Sequence, residues 1–393
     1  MQDPIVIASA ARTPLGAFRG ELSSLTANDL GSAAIRAAVE RAGLSFEQID
    51  DVVMGNVLVA GQGQAPARQA AIKAGVPVTA GAVTVSKVCG SGMQALMQAH
   101  DALLAGSTGI VVAGGMESMT NAPYLLANAR GGYRAGHDQL YDHMTLDGLE
   151  DAYDKGRSMG SFGEQCAARY GFTREAQDRF AIASVERAQA AVRNGAFDWE
   201  IAPVRISEKK EETMISQDER PLKMKVDKIA SLPPAFMKDG TITAASSSAN
   251  ADGAAAMVLM RMSMADRLGI RPVARIVAHA CHSQQPEWFT TAPVEALRKV
   301  FVKTGWQSRN VDLFEINEAF AAVPMAAMTE HDISHDRVNV HGGACILGHP
   351  IGASGARIVV TLLGALKQSG GRRGVATLCI GGGEATAMAV ELL

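Results

Sequence analysis

The first third of the chain alternates short apolar runs with stretches whose apolar residues recur at helical spacing. Leu30, Ala33, Ala34, Ala37 and Ala38 mark one face of a helix, Thr26 and Asp29 form its T-x-x-D start, and Gly43 stands where a C-cap belongs. A strand is predicted over 52–59, followed by a helix over 66–74, a strand over 83–86, a helix over 90–104 and a strand over 110–113. Such alternation predicts an α/β fold with a largely buried sheet.

The last third repeats this scheme. A shift of 262 positions lays Gly43 on Gly305, Ile49 on Val311, Asp50 on Asp312, Val52 on Phe314, Met54 on Ile316 and Gly90 on Gly352. The halves read as copies of one unit, with a site where they meet. Between them the pattern changes: glycine and polar residues dominate, one clear helix is capped by Thr173 and closed by Gly195, and a charged segment reads EKKEETMISQDERPLKMK. A long insertion in a compact fold is more often a lid or binding loop than inert linker, so this stretch is expected to grip a ligand. The resulting division is an N-terminal half at 1–119, a loop domain at 120–250, a return of the chain to the first half at 251–271, and a C-terminal half at 272–393.

Composition narrows the function. The 393 residues can bury a sizeable core, and a net charge of −3 with mixed signs gives no reason to expect nucleic acid or an anionic membrane as partner. No apolar run approaches the roughly 20 residues that cross a bilayer, and MQDPIVIASA does not read as a signal peptide. Five cysteines without a C-x-x-C pair indicate neither a disulfide framework nor a metal site. Reduced thiols in a cytoplasmic protein are expected.

Four reactive side chains are framed by glycine or by helix starts. Cys89 in VCGSG should lie at a strand-to-helix turn, where unpaired N–H groups and the helix dipole favour a thiolate nucleophile. His349 in GHPIGASG can take a proton at neutral pH. Asn317 in NEAFA can cap a helix, or hold a water or carbonyl oxygen as charge develops. Cys379 in CIGGG offers a second thiol beside a run of glycine N–H groups that includes Gly381. Cys166 and Cys281 read as structural, whereas Cys345 lies close to His349. Lys209, Lys210, Arg220, Lys223 and Lys225 can reach a nucleotide phosphate or simply be solvated.

Read together and in order, VCGSG, NEAFA, GHPIGASG and CIGGG make the chain resemble the thiolase family, specifically its acetyl-CoA acetyltransferases, from ARTPLGAFRG to CIGGGEATAMA. HMTLDGLEDAY is similar to the loop domain of thiolases that handle acetoacetyl-CoA. The resemblance implies a thiolase fold of α/β class, with two similar halves packed in five αβαβα layers, a protruding loop domain, and a homodimer that can double into a homotetramer. It implies Cys89 as acylated nucleophile, His349 as its activator and Cys379 as the acid/base at the α-carbon. Asn317 (through a water) with His349 would form one oxyanion site, and the N–H groups of Cys89 and Gly381 the other. Ser248 and Phe236 match positions that contact the pantetheine arm, and Phe320 falls in the substrate pocket. Coenzyme A is implied as co-substrate, acyl-CoA as substrate, and no cofactor or metal is permanently bound.

The chain departs from the family pattern at His341, where asparagine is usual, at Cys345, usually aliphatic, and at Ser158, often histidine. SQQPEWFTTAP replaces a pocket stretch often reading DPxxMGxGP, and is expected to place Trp288 and Phe289 near the acyl group, favouring short chains. A thiolase for longer or polar 3-oxoacyl chains, a decarboxylating ketoacyl synthase and a noncatalytic acyl-CoA-binding protein stay open as alternatives.

Overall fold

The computed structural model describes residues 3–208 and 211–393; Lys209 and Lys210 lie outside them. The chain opens with β1 (Ile5–Arg12), β2 (Gly16–Ala17), α1 (Ala27–Arg41), β3 (Asp51–Gly55), α2 (Pro66–Ala74), β4 (Gly81–Val85), α3 (Ser91–Ala105) and β5 (Ile110–Ser118). An excursion follows through β6 (Tyr124–Leu125), β7 (Tyr141–Asp142), α4 (Met159–Tyr170), α5 (Arg174–Arg193) and the hairpin β8 (Val204–Glu208) with β9 (Glu211–Ile215). Then come β10 (Ala251–Arg261), α6 (Met262–Leu268), β11 (Ala274–Ser283), α7 (Ala292–Thr304), β12 (Leu313–Ile316), α8 (Ala322–His331), α9 (Ala344–Leu347), α10 (Ile351–Ser369), β13 (Arg373–Ile380) and β14 (Glu384–Leu392).

Strand order is β12-β13-β14-β11-β1-β10-β5-β3-β4, and parallel pairs (β3 with β4 and β5, β12 with β13) mix with antiparallel ones. The β1–β11 junction is held by only Val6 opposite Arg275 and Ile7 opposite Ala274, so each half keeps its own sheet. One apolar cluster joins α3 and α10 to strands of both halves; a second packs α1 and α2 on the far face of the first sheet, and a third packs α7 on the far face of the second. This is a five-layered αβαβα stack. Burying both faces of each sheet requires the near-continuous apolar strands seen in β1, β5 and β10.

The repeat is physical. Gly43 and Gly305 both end a helix with φ near +70°, the short turns Phe46–Gln48 and Ser308–Asn310 follow each, and β3 and β12 come next. Asp50 then accepts hydrogen bonds from the N–H groups of Gly109 and Ile110, as Asp312 does from Arg372 and Arg373. In both halves the same carboxylate fastens the loop before the first strand to the start of its neighbour.

Candidate active site

α3 and α10 begin side by side. A Cβ on Gly355 would stand 2.4 Å from the Met93 nitrogen, and one on Gly115 would stand 2.1 Å from the Gly352 carbonyl oxygen, so only glycine lets these backbones meet. Cys89 precedes α3 and His349 precedes α10. Close helix packing therefore brings residues from opposite halves together. Val88 holds φ of 45°, a left-handed conformation costly for a β-branched residue, in the turn that leads into Cys89.

The Cys89 thiol receives hydrogen bonds from the N–H of Gly381 and its own N–H, which favour the thiolate, but burial outweighs them and Glu117 adds to the upward push, to about 11. The N–H groups expected to favour the thiolate at this turn do so, but burial outweighs them. His349 is held down to about 3 by burial and by the Arg357 guanidinium, so the resting pair is a neutral thiol and a neutral imidazole. Alkylation of Cys89 by iodoacetamide is expected to rise about tenfold per pH unit from pH 7 to 10, because the reactive thiolate fraction grows that way below a raised pKa. A plateau near pH 7 would show a preformed thiolate.

The tautomer of His349 follows from its neighbours. Ser354 Oγ donates to the Pro350 carbonyl oxygen at 2.9 Å, so it can only accept from His349 Nδ1, 2.6 Å away. Nδ1 carries the proton and Nε2 is left as a base, without a hydrogen-bond partner among the described residues. The His349 N–H donates to the Ala249 carbonyl at 2.8 Å, fixing the loop. Ser354→Ala is expected to lower kcat by about one to two orders of magnitude with KM nearly unchanged, since it frees the wrong tautomer without touching substrate. Stopped-flow thiolysis on the two proteins checks this.

Asn317 is not a helix cap, because α8 starts at Ala322. Its N–H bonds the Thr377 carbonyl, while both side-chain amide atoms are buried and lack partners among the described residues. Buried polar groups are ordinarily satisfied, so the Asn317 amide and His349 Nε2 are each available to a polar guest. Cys379 is fully buried near the end of β13, its thiol pushed well above the ordinary range first by burial and then by nearby Cys89.

Glu117 and Ser354 were not singled out from the sequence. Glu117 lies 262 positions before Cys379, at the matching end of β5, and its buried carboxylate accepts from Asn56 Nδ2 at 2.6 Å and from the N–H groups of Val57, Leu58 and Gly352. Burial raises it to about 7. The repeat was the signal that could have found it. Ser354 sits five residues after His349 in the same glycine-rich motif.

Phe289, Phe320, Phe162, Ile242 and Val323 pack around Cys379 with Met159 beside them, an apolar wall for a short chain. Trp288 does not join them. The turn kinks there, and its ring stacks under the Arg169 guanidinium at 4.6 Å. Ser248 bonds the Ala319 carbonyl through its N–H, and Phe236 packs edge-on against Phe320 with part of its ring exposed. Arg220 Nε donates to the Ile346 carbonyl, and Lys223 Nζ is paired with Glu21 and Glu219. His341 packs on Phe197 near Arg12, Cys345 forms part of the one-turn α9 against Glu318, Cys166 is buried in α4, and Ser158 begins α4 without capping it.

Comparison with known proteins identifies the family. Residues 5–263 match the thiolase N-terminal domain and residues 270–392 the thiolase C-terminal domain. An acetyl-CoA acetyltransferase of Cupriavidus necator is 47% identical over 98% of this chain and 99% of its own length. The crystal structure of the Bacillus anthracis acetyl-CoA acetyltransferase superposes with a TM-score of 0.97 at 39% identity, covering 100% of this chain and 99% of that one. An Ascaris suum thiolase, Acat5, solved in complex with coenzyme A, gives 0.94 at 41% identity, covering 99% of this chain and 100% of that one. With both domains matched in order over nearly the whole sequence, the chain belongs to the thiolase family.

Proposed function

We propose that this protein is an acetyl-CoA C-acetyltransferase that cleaves a short-chain 3-oxoacyl-CoA such as acetoacetyl-CoA with coenzyme A, or runs the reverse Claisen condensation, through an acyl-Cys89 intermediate. The observation that carries the reading is that Cys89 and His349 precede the packed N-termini of α3 and α10, that Cys89 lies near enough to Cys379 to push its thiol up, and that the Asn317 amide and His349 Nε2 are buried without partners among the described residues.

In cleavage, Cys89 Sγ attacks the ketone carbonyl as His349 Nε2 takes its proton. The N–H groups of Cys89 and Gly381 receive the developing oxyanion. The bond between the α- and β-carbons breaks, its electron pair forms the thioester enolate, and the Cys379 thiol protonates that carbon. Asn317, through a water, and the protonated His349 stabilise the enolate oxygen. Coenzyme A then takes the acyl group from Cys89. Raising the Cys379 pKa suits this step, since a weaker thiol acid is closer in basicity to the carbon it serves.

Ser248 and Phe236 would meet the pantetheine arm, and Arg220 and Lys223 the nucleotide, which must compete with Glu21 and Glu219 for Lys223. The crowding of Phe162, Phe289 and Phe320 favours four-carbon over ten-carbon substrates. A cytoplasmic homodimer or homotetramer is the assembly we infer from the family likeness, and β4 leaves a sheet edge with Val83 exposed; no described helix is long and apolar enough to cross a membrane. The reading includes no resident cofactor, nucleic-acid partner or membrane partner. Coenzyme A-dependent loss of acetoacetyl-CoA with ping-pong kinetics supports the function; no loss, or equal kcat/KM for the ten-carbon substrate, overturns the function or the chain-length reading respectively.

A further inference from the structure

At the far end of α3 from Cys89, the fold assembles three ligating side chains that lie up to 179 residues apart in sequence. His100 and Asp101 come from α3 and His279 from β11 of the other half. His279 Nε2 lies 3.1 Å from His100 Nδ1 and 3.0 Å from Asp101 Oδ1, and the latter two atoms are 3.0 Å apart. The imidazoles meet edge to face with centroids 4.8 Å apart, and one nitrogen of each ring lies 3.0 Å from the same Asp101 oxygen. We propose that His100, Asp101 and His279 form a binding site for one divalent first-row transition ion, of the zinc or cobalt kind, that ties α3 to the sheet of the second half.

The three ligand atoms lie close enough together to share one cation. Metal–ligand bonds of about 2.0–2.1 Å place adjacent ligand atoms about 2.8–3.0 Å apart in octahedral sites and about 3.3–3.4 Å apart in tetrahedral ones, and the contacts of 3.0 and 3.1 Å here lie nearer the octahedral spacing. Two nitrogens and a carboxylate oxygen on one face are a donor set suited to such ions. The imidazoles are 12% and 14% exposed while the carboxylate is 62% exposed, so the ligands are fixed from within and water can complete the shell from outside. The Lys303 ammonium, bonded to the His279 carbonyl oxygen at 2.8 Å, is the opposing neighbour charge, anchored on the backbone. Along the helix the cluster lies roughly 16 Å from Cys89, too far to touch a reacting thioester. The ion would brace the helix that aims the nucleophile.

Chelator-treated full-length protein titrated with Co2+ should take up one ion per chain with visible d–d bands and no near-ultraviolet thiolate band, and its Tm should rise. The His100→Gln/His279→Gln protein should lose both responses while its far-ultraviolet circular dichroism stays native, and Cys89→Ala should keep both. Absence of stoichiometric uptake by the parent, uptake that survives the double substitution, or a thiolate band would each overturn the site.

Discussion

Cys89→Ala is expected to abolish thiolysis of acetoacetyl-CoA, with kcat falling on the order of 10⁵-fold or more, the scale on which loss of a covalent nucleophile acts. Incubation with acetyl-CoA followed by intact-protein mass measurement should show an acetyl adduct on the parent and none on the variant. The effect is large because no other thiol can substitute. Cys379 serves the α-carbon in the proposed reaction, and Cys166 and Cys345 are buried in α4 and α9. Cys281 lies in β11, and its thiol faces Gln94. Folding should survive, since the side chain is small and the Val88 turn that presents it is retained. A variant that keeps full thiolysis would remove Cys89 from the mechanism, and an adduct that forms on the variant would assign acylation elsewhere.

Much of the architecture was legible because local chemistry and tertiary role coincide. Thr26 and Asp29 read as a helix start and make a reciprocal capping box, and Gly43 takes the positive φ that a helix exit requires. The 262-residue shift works because each half must bury the same strand–turn–helix unit. What escaped reading was set by distant partners. The strand expected over 52–59 stops at Gly55, since the N–H groups of Val57 and Leu58 turn toward the Glu117 carboxylate instead of a neighbouring strand. The strand expected to end at Ala113 continues to Ser118 because β10 pairs it throughout. Asn317 reads as a cap by residue type, yet Ser248 and Ser247 engage Ala319 and Phe320 and hold that segment out of the helix. Adjacent Trp288 and Phe289 were read as one pocket lining. A kink inside their turn sends Phe289 to Cys379 and Trp288 to Arg169, a separation that residue order cannot express.

Replacing Cys379 by alanine should split the reaction in two. Acylation needs only Cys89, His349 and the N–H pair of Cys89 and Gly381, so exchange of acetyl groups between acetyl-CoA and free coenzyme A should continue. Making or breaking the carbon–carbon bond also needs a proton delivered to or removed from the α-carbon. Loss of a positioned acid/base costs about 10² to 10⁴ in rate, and here the upper end is expected because the neighbouring wall of Phe289, Phe320 and Met159 offers no other group that titrates. His349 does not fill the gap, because its one free nitrogen serves Cys89. The measurement is therefore a ratio, exchange over thiolysis, taken on one preparation so that misfolding lowers both together. A ratio raised at least about a thousandfold assigns Cys379 to the α-carbon step. An unchanged ratio would place it in acylation alongside Cys89, and the two thiols would then serve a single step.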